Sequence, residues 1–155
     1  MGEAGKLQDI ICSVLANERH KKVIDLVLNE FLPGHEPVNP ALMAHPVNDA
    51  LKFHTEEEMI HFYLTNSGFA QSIYWKMQHD NPDSRMVGAD ITSDGKIIIS
   101  LTMAVSTAEA SFWLHRLKAF MNSNIGVVSY DILPEYTDGE DFIKRYQNIE
   151  YPVES

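Results

Sequence analysis

The sequence predicts a single α+β domain: three N-terminal helices, an antiparallel three-strand meander, a helix, a further strand and a short C-terminal helix. Three observations predict it. Apolar residues recur at helical spacing in the first third, β-rich segments surround an Asp-Gly turn in the middle, and helical spacing returns after Ser106. Helices segregated to one face of a mainly antiparallel sheet make this class. The length of 155 residues fits one domain spanning 1–155.

From the N-terminus, Leu7, Ile10, Ile11, Val14 and Leu15, then Val23, Ile24, Val27, Leu28 and Phe31, follow the helical period. Two helices are expected, broken near Ala16–Asn17, with Asn17 capping the second and Pro33-Gly34 ending it. Four prolines, Pro33, Pro37, Pro40 and Pro46, make 33–54 a long loop and a candidate contact surface. Thr55 with Glu58 reads as a capping box, starting a third helix that runs to about Asn66 before Gly68.

The period then shifts. Ala70–Met77 and Met86–Ile91 are strand candidates separated by the turn-rich segment His79–Ser84. Ser93-Asp94-Gly95 joins Met86–Ile91 to a third strand, Lys96–Val105, whose crowded Ile97, Ile98, Ile99 and Leu101 predict cover on both faces. Gly88 is read as a strand bulge. Ser106 and Glu109 form a second capping box, opening a helix through Ala110, Trp113, Leu114, Leu117 and Met121. Ile125–Ile132 is the next strand, and Asp138–Tyr146 the closing helix.

Composition limits function. There are 22 Asp+Glu against 12 Lys+Arg, a formal charge of -10, which opposes direct nucleic-acid binding because phosphate contact needs clustered cations. No run approaches the ~18 apolar residues of a membrane span. A lone Cys12 closes no internal bridge, so a reducing, cytoplasmic setting is expected, and its apolar neighbours predict an inert thiol.

No motif names a reaction. A nucleophile elbow, a Walker loop, H-E-x-x-H and C-x-x-C are all missing, and no cofactor is expected. His54, Glu57, Glu58 and His61 share an arc of about 100° on the third helix, opposite its apolar stripe. They face water, so no metal is assigned, although a small-molecule enzyme using His54, Glu58 or His61 with His35 or His45 is an alternative. Asp90 with Asp94 could act as acid and base only if burial separated their pKa values.

The order of helices and strands resembles that of the acyl-CoA N-acetyltransferases. The turn corresponding to their pyrophosphate loop, Met103–Ala108, carries neither glycine nor a basic residue, so the resemblance does not extend to the cofactor. The order also resembles that of type III secretion chaperones, likewise small and acidic, which implies an effector as an alternative partner.

Two features point to binding. Phe112 falls off the apolar stripe of its helix near Arg116, a composition enriched at interface hot spots. From Asp131 onward, Asp131, Glu135, Asp138, Glu140, Asp141, Glu150 and Glu154 outnumber Lys144 and Arg145, a net of -5 interleaved with aromatics that include Tyr136. These residues suit a basic protein partner, a toxin or an effector. The expected function is therefore a non-enzymatic acidic binding protein, in its most concrete form an immunity-type inhibitor of a bacterial toxin, such as a nuclease, with a basic active site.

Overall fold

The computed structural model describes residues 7–38, 53, 55–66, 68–77 and 85–147, without the side chains of residues 7 and 8. Among them are six strands and four helices, in the order β1 (Leu7–Leu15), α1 (Lys21–Phe31), β2 (His35–Pro37), α2 (Glu56–Thr65), β3 (Gln71–Met77), β4 (Met86–Ile91), β5 (Ile97–Ser106), α3 (Ala110–Met121), β6 (Gly126–Tyr130) and α4 (Gly139–Tyr146). The strands form one sheet ordered β2-β3-β4-β5-β1-β6, with every neighbouring pair antiparallel.

The class is α+β, but the expected arrangement of three N-terminal helices and a three-strand meander is overturned. The first expected helix is β1, lodged between β5 and β6. Its apolar residues satisfy both periods. Ile10, Cys12 and Val14 alternate onto the helix-covered face and are fully buried there. Three of the segment's apolar residues, Ile10, Ile11 and Val14, are β-branched, which favours the pleated state once a partner strand is available.

The second expected helix begins at Lys21 with His20 as its cap, Nδ1 accepting the Lys22 amide at 3.1 Å, in place of a start after Asn17. The front of the expected 33–54 loop contains β2, an edge strand pairing His35 with Met77 and Pro37 with Trp75; residues 39–52 lie outside the described set. Proline fits an edge, where a ladder donor can be spared. The whole of the expected turn at His79–Ser84 also lies outside the described residues.

The two faces of the sheet differ. Under α1, α2 and α3 lies the main core, built on Ile10, Val14, Trp75, Ile91, Ile99 and Leu101 from the sheet, with Phe31, Ile60, Tyr63, Leu114 and Leu117 from the helices. On the reverse face a smaller cluster, Ile98, Val127, Phe142 and Tyr146, seats α4 over β5 and β6. The rest of that face has no helix over it among the described residues. There the chain between β6 and α4 closes over a row of small side chains.

Candidate functional site

The register of the sheet sets Tyr74, Gly88, Ser100 and Ser13 opposite one another across β3, β4, β5 and β1. A second row, two residues along, consists of Ser72, Asp90, Ile98 and Leu15. Residues two apart on a strand share a face, so both rows line the reverse side. Glycine, serine and aspartate are short, and the sheet is therefore hollow at this place. Leu133, Pro134 and Tyr136 roof the hollow, giving a cleft of about 210 Å³.

Gly88 is no bulge, because pairing runs unbroken from Trp75↔Val87 through Tyr74↔Gly88 to Ile73↔Ala89. A Cβ there would stand 2.6 Å from the Tyr74 ring and 2.5 Å from Ser100 Oγ. Glycine is required by the aromatic ring lying against the strand.

Asp90 is the charged centre of the cleft. Its Oδ1 accepts the Ser72 hydroxyl at 3.1 Å, and its Oδ2 accepts the Tyr136 hydroxyl. Burial, with the negative field of Asp90 added, raises the pKa of both Tyr74 and Tyr136, so both phenols stay neutral across the physiological range. Ser13, 1% exposed, lines the same cleft, and its Oγ has no hydrogen-bond partner among the described residues. Asp94 does not join Asp90 as an acid–base partner. It accepts the amides of Gly139 and Glu140 at 2.9 and 2.8 Å, so it caps α4.

The residues singled out from sequence have diverse fates. Phe112 is 61% exposed, edge-on to Trp113 at 5.2 Å. Arg116 lies over the Phe31 and Trp113 rings at 5.4 and 5.1 Å and donates to Glu30 at 3.1 Å, which ties α3 to α1. Of the acidic group, Asp138 is the N-cap of α4, accepting the Asp141 amide at 2.8 Å. Asp141 accepts the Thr137 amide and Arg145 Nε, both at 2.9 Å; these contacts, the backbone bond foremost, hold its carboxyl below the usual range. Glu140 lies 3.8 Å from Lys96 Nζ. Negative charge in the first turn of a helix complements the macrodipole, so these three acids serve α4 itself.

Asp131 and Glu135 differ. Both are exposed, and they bracket Ile132 and Leu133, which are 61% and 49% exposed. This loop is braced at each end. Asp131 takes a left-handed conformation, φ 64°, and its amide donates to the Asp9 carbonyl at 2.9 Å. The Tyr146 hydroxyl donates to the Glu135 carbonyl at 2.8 Å. Tyr136 turns inward, edge-on to Phe142 at 5.1 Å. Ile132 and Leu133 are not among the residues expected from sequence; two adjacent large apolar residues between acids, followed by Pro134, are the signal that marks them.

His61, Glu57 and Glu58 are exposed on α2, while His45 and His54 lie outside the described residues. Among the described residues no group of three or more His, Cys, Asp or Glu is arranged to hold a metal ion. His35 Nδ1 meets the Leu32 carbonyl at 3.1 Å, within its own turn. Burial pushes the Cys12 thiol up to about 12. No helix among the described residues is long and apolar enough to cross a membrane. Comparison of the chain with protein-family models, curated proteins and solved structures finds no match.

Proposed function

We propose that the chain is a non-enzymatic binding protein that docks a basic protein partner on the Asp131–Glu135 loop. The observation that carries this reading is the pairing of Ile132 and Leu133, exposed side by side, with a carboxylate at either end of the loop. An apolar centre with a polar rim is the usual anatomy of an interface. Bracing by Asp9 and Tyr146 lowers the ordering cost of binding. The net charge of -10 favours encounter with a cationic surface.

The concrete form of the proposal is an immunity-type inhibitor of a toxin whose active site is basic, with Asp131 and Glu135 facing the cations that would otherwise hold phosphate. Asp138, Glu140 and Asp141 then act indirectly, by seating α4 and the end of the loop. A secretion chaperone would instead use the apolar groove between α1 and α3, where Leu26 and Phe120 are exposed, and would be a homodimer.

The test is affinity capture over a salt series, followed by calorimetry with the purified captured protein. The proposal expects a basic protein, affinity falling as salt rises, and at least a tenfold loss for the Ile132→Ser/Leu133→Ser double variant. Undiminished binding by that variant overturns it. A homodimer whose capture is abolished by Leu26→Ser and untouched by the loop variant supports the chaperone instead.

A further inference from the structure

The cleft beneath the docking loop holds a negative charge, Asp90, for which the described residues supply no counter-ion. Among the described residues, no Lys or Arg pairs with Asp90. Two hydroxyl donors occupy its carboxylate, yet each oxygen carries two lone pairs, so acceptor capacity remains. A part-buried carboxylate without a cation is costly unless something supplies one. In the same hollow, the Ser13 hydroxyl is buried and has no partner among the described residues, a second vacancy in hydrogen bonding.

We infer that this cleft receives a guanidinium group, with Asp90 as its counter-ion, Ser13 Oγ as a second acceptor and the rings of Tyr74 and Tyr136 as walls. A guanidinium is planar, weakly hydrated and carries five donors, so it can serve two acceptors and still lie against an aromatic ring. An ammonium is compact and strongly hydrated. The volume of about 210 Å³ is below the ~300 Å³ of a small drug-sized pocket, which suits a side-chain head or a small free guanidine.

The inference deepens the docking proposal and rests on it for the source of the group. Leu133, Pro134 and Tyr136 belong both to the loop region and to the cleft wall, so an arginine of a partner seated on Leu133 lies beside the opening. Gly88 keeps the floor open, since any side chain there fills the space against Tyr74 and Ser100.

The full chain is titrated with N-acetyl-arginine amide, the neutral isostere N-acetyl-citrulline amide and methylguanidinium at constant ionic strength, followed by amide NMR shifts. Expected is saturable binding of the arginine probe in the millimolar range, with shifts at Ser13, Tyr74, Asp90 and Tyr136 and none from citrulline. Asp90→Asn should weaken binding tenfold or more. Ser13→Ala removes an unpartnered oxygen at no cost to the fold and should weaken binding severalfold, which keeps the inference testable if Asp90→Asn does not fold. Equal response to citrulline, shifts away from the cleft, or unchanged binding in Ser13→Ala and Asp90→Asn overturn it.

Binding of methylguanidinium without the capped arginine overturns the partner arginine and leaves a free small cation as ligand. If the wild type binds the arginine probe but captures no protein, the docking proposal fails and the cleft stands. If Asp90→Asn captures the partner as well as the wild type does, the partner arginine fails and the docking loop stands.

Discussion

The Gly139 amide donates to Asp94 Oδ1 at 2.9 Å, joining the β4–β5 turn to the first residue of α4. Asp94 also accepts the Glu140 amide, so one hairpin carboxylate serves two free N–H groups of a distant helix. Burial opposes its charge but is outweighed by the Thr92 hydroxyl and the Glu140 and Gly139 amides, which lower its pKa.

Asp94→Ala should therefore cost about 1 kcal/mol, as loss of a helix cap does. Because the folded pKa is depressed, the contribution is complete at neutral pH and fades as pH falls below about 4, the unfolded value, through the folded one. Urea denaturation at neutral and acidic pH checks this: the gap between wild type and variant should close in acid.

Trp75 is fully buried, and its Nε1 donates to Glu56 Oε2 at 2.9 Å, which fastens α2 to β3. Glu56→Ala strands a buried indole donor and should cost about 1–3 kcal/mol. Glu56→Gln retains an acceptor and should recover most of it. Denaturation followed by circular dichroism distinguishes the two variants.

Gly88→Ala places a methyl against the Tyr74 ring and Ser100 Oγ. Overpacking of this kind costs about 1–3 kcal/mol, and the displaced ring should also fill the cleft. Loss of the arginine-probe response in a folded Gly88→Ala protein is the expected outcome.

Cys12 is buried with its thiol pushed up to about 12, so at pH 8 the thiolate is about one part in ten thousand of an already inaccessible group. A disulfide reagent should label it only as fast as the protein opens, with full labelling in denaturant. Immediate labelling of the folded chain contradicts the burial.

Local chemistry was the legible part. Thr55 accepts the Glu58 amide and Gly95 takes a positive φ of 83° behind Asp94, both from signals within four residues. β1 was not legible, because Ile10, Ile11 and Val14 fit a helix as well as a strand and only pairing with β5 and β6 decides between them. The acids were visible as charge, but their roles were not: Asp138 and Asp141 are bound up in the start of α4, through the Asp141 amide and through Thr137 and Arg145, which charge alone does not reveal. The cleft escaped notice because Ser13, Ser72, Gly88, Asp90 and Ser100 stand far apart in the chain and converge only through register.

The position of β1 governs when the molecule can assemble. Ile10 finds its neighbours in Met103 and Tyr130, so a strand synthesised early must wait for strands synthesised late. On a ribosome, Ile10, Cys12 and Val14 emerge with nothing to pair against, and β1 cannot join the sheet until β5 and β6 have followed it. Such non-local wiring belongs to the slow end of small-domain folding, milliseconds to seconds, a range that stopped-flow refolding can read.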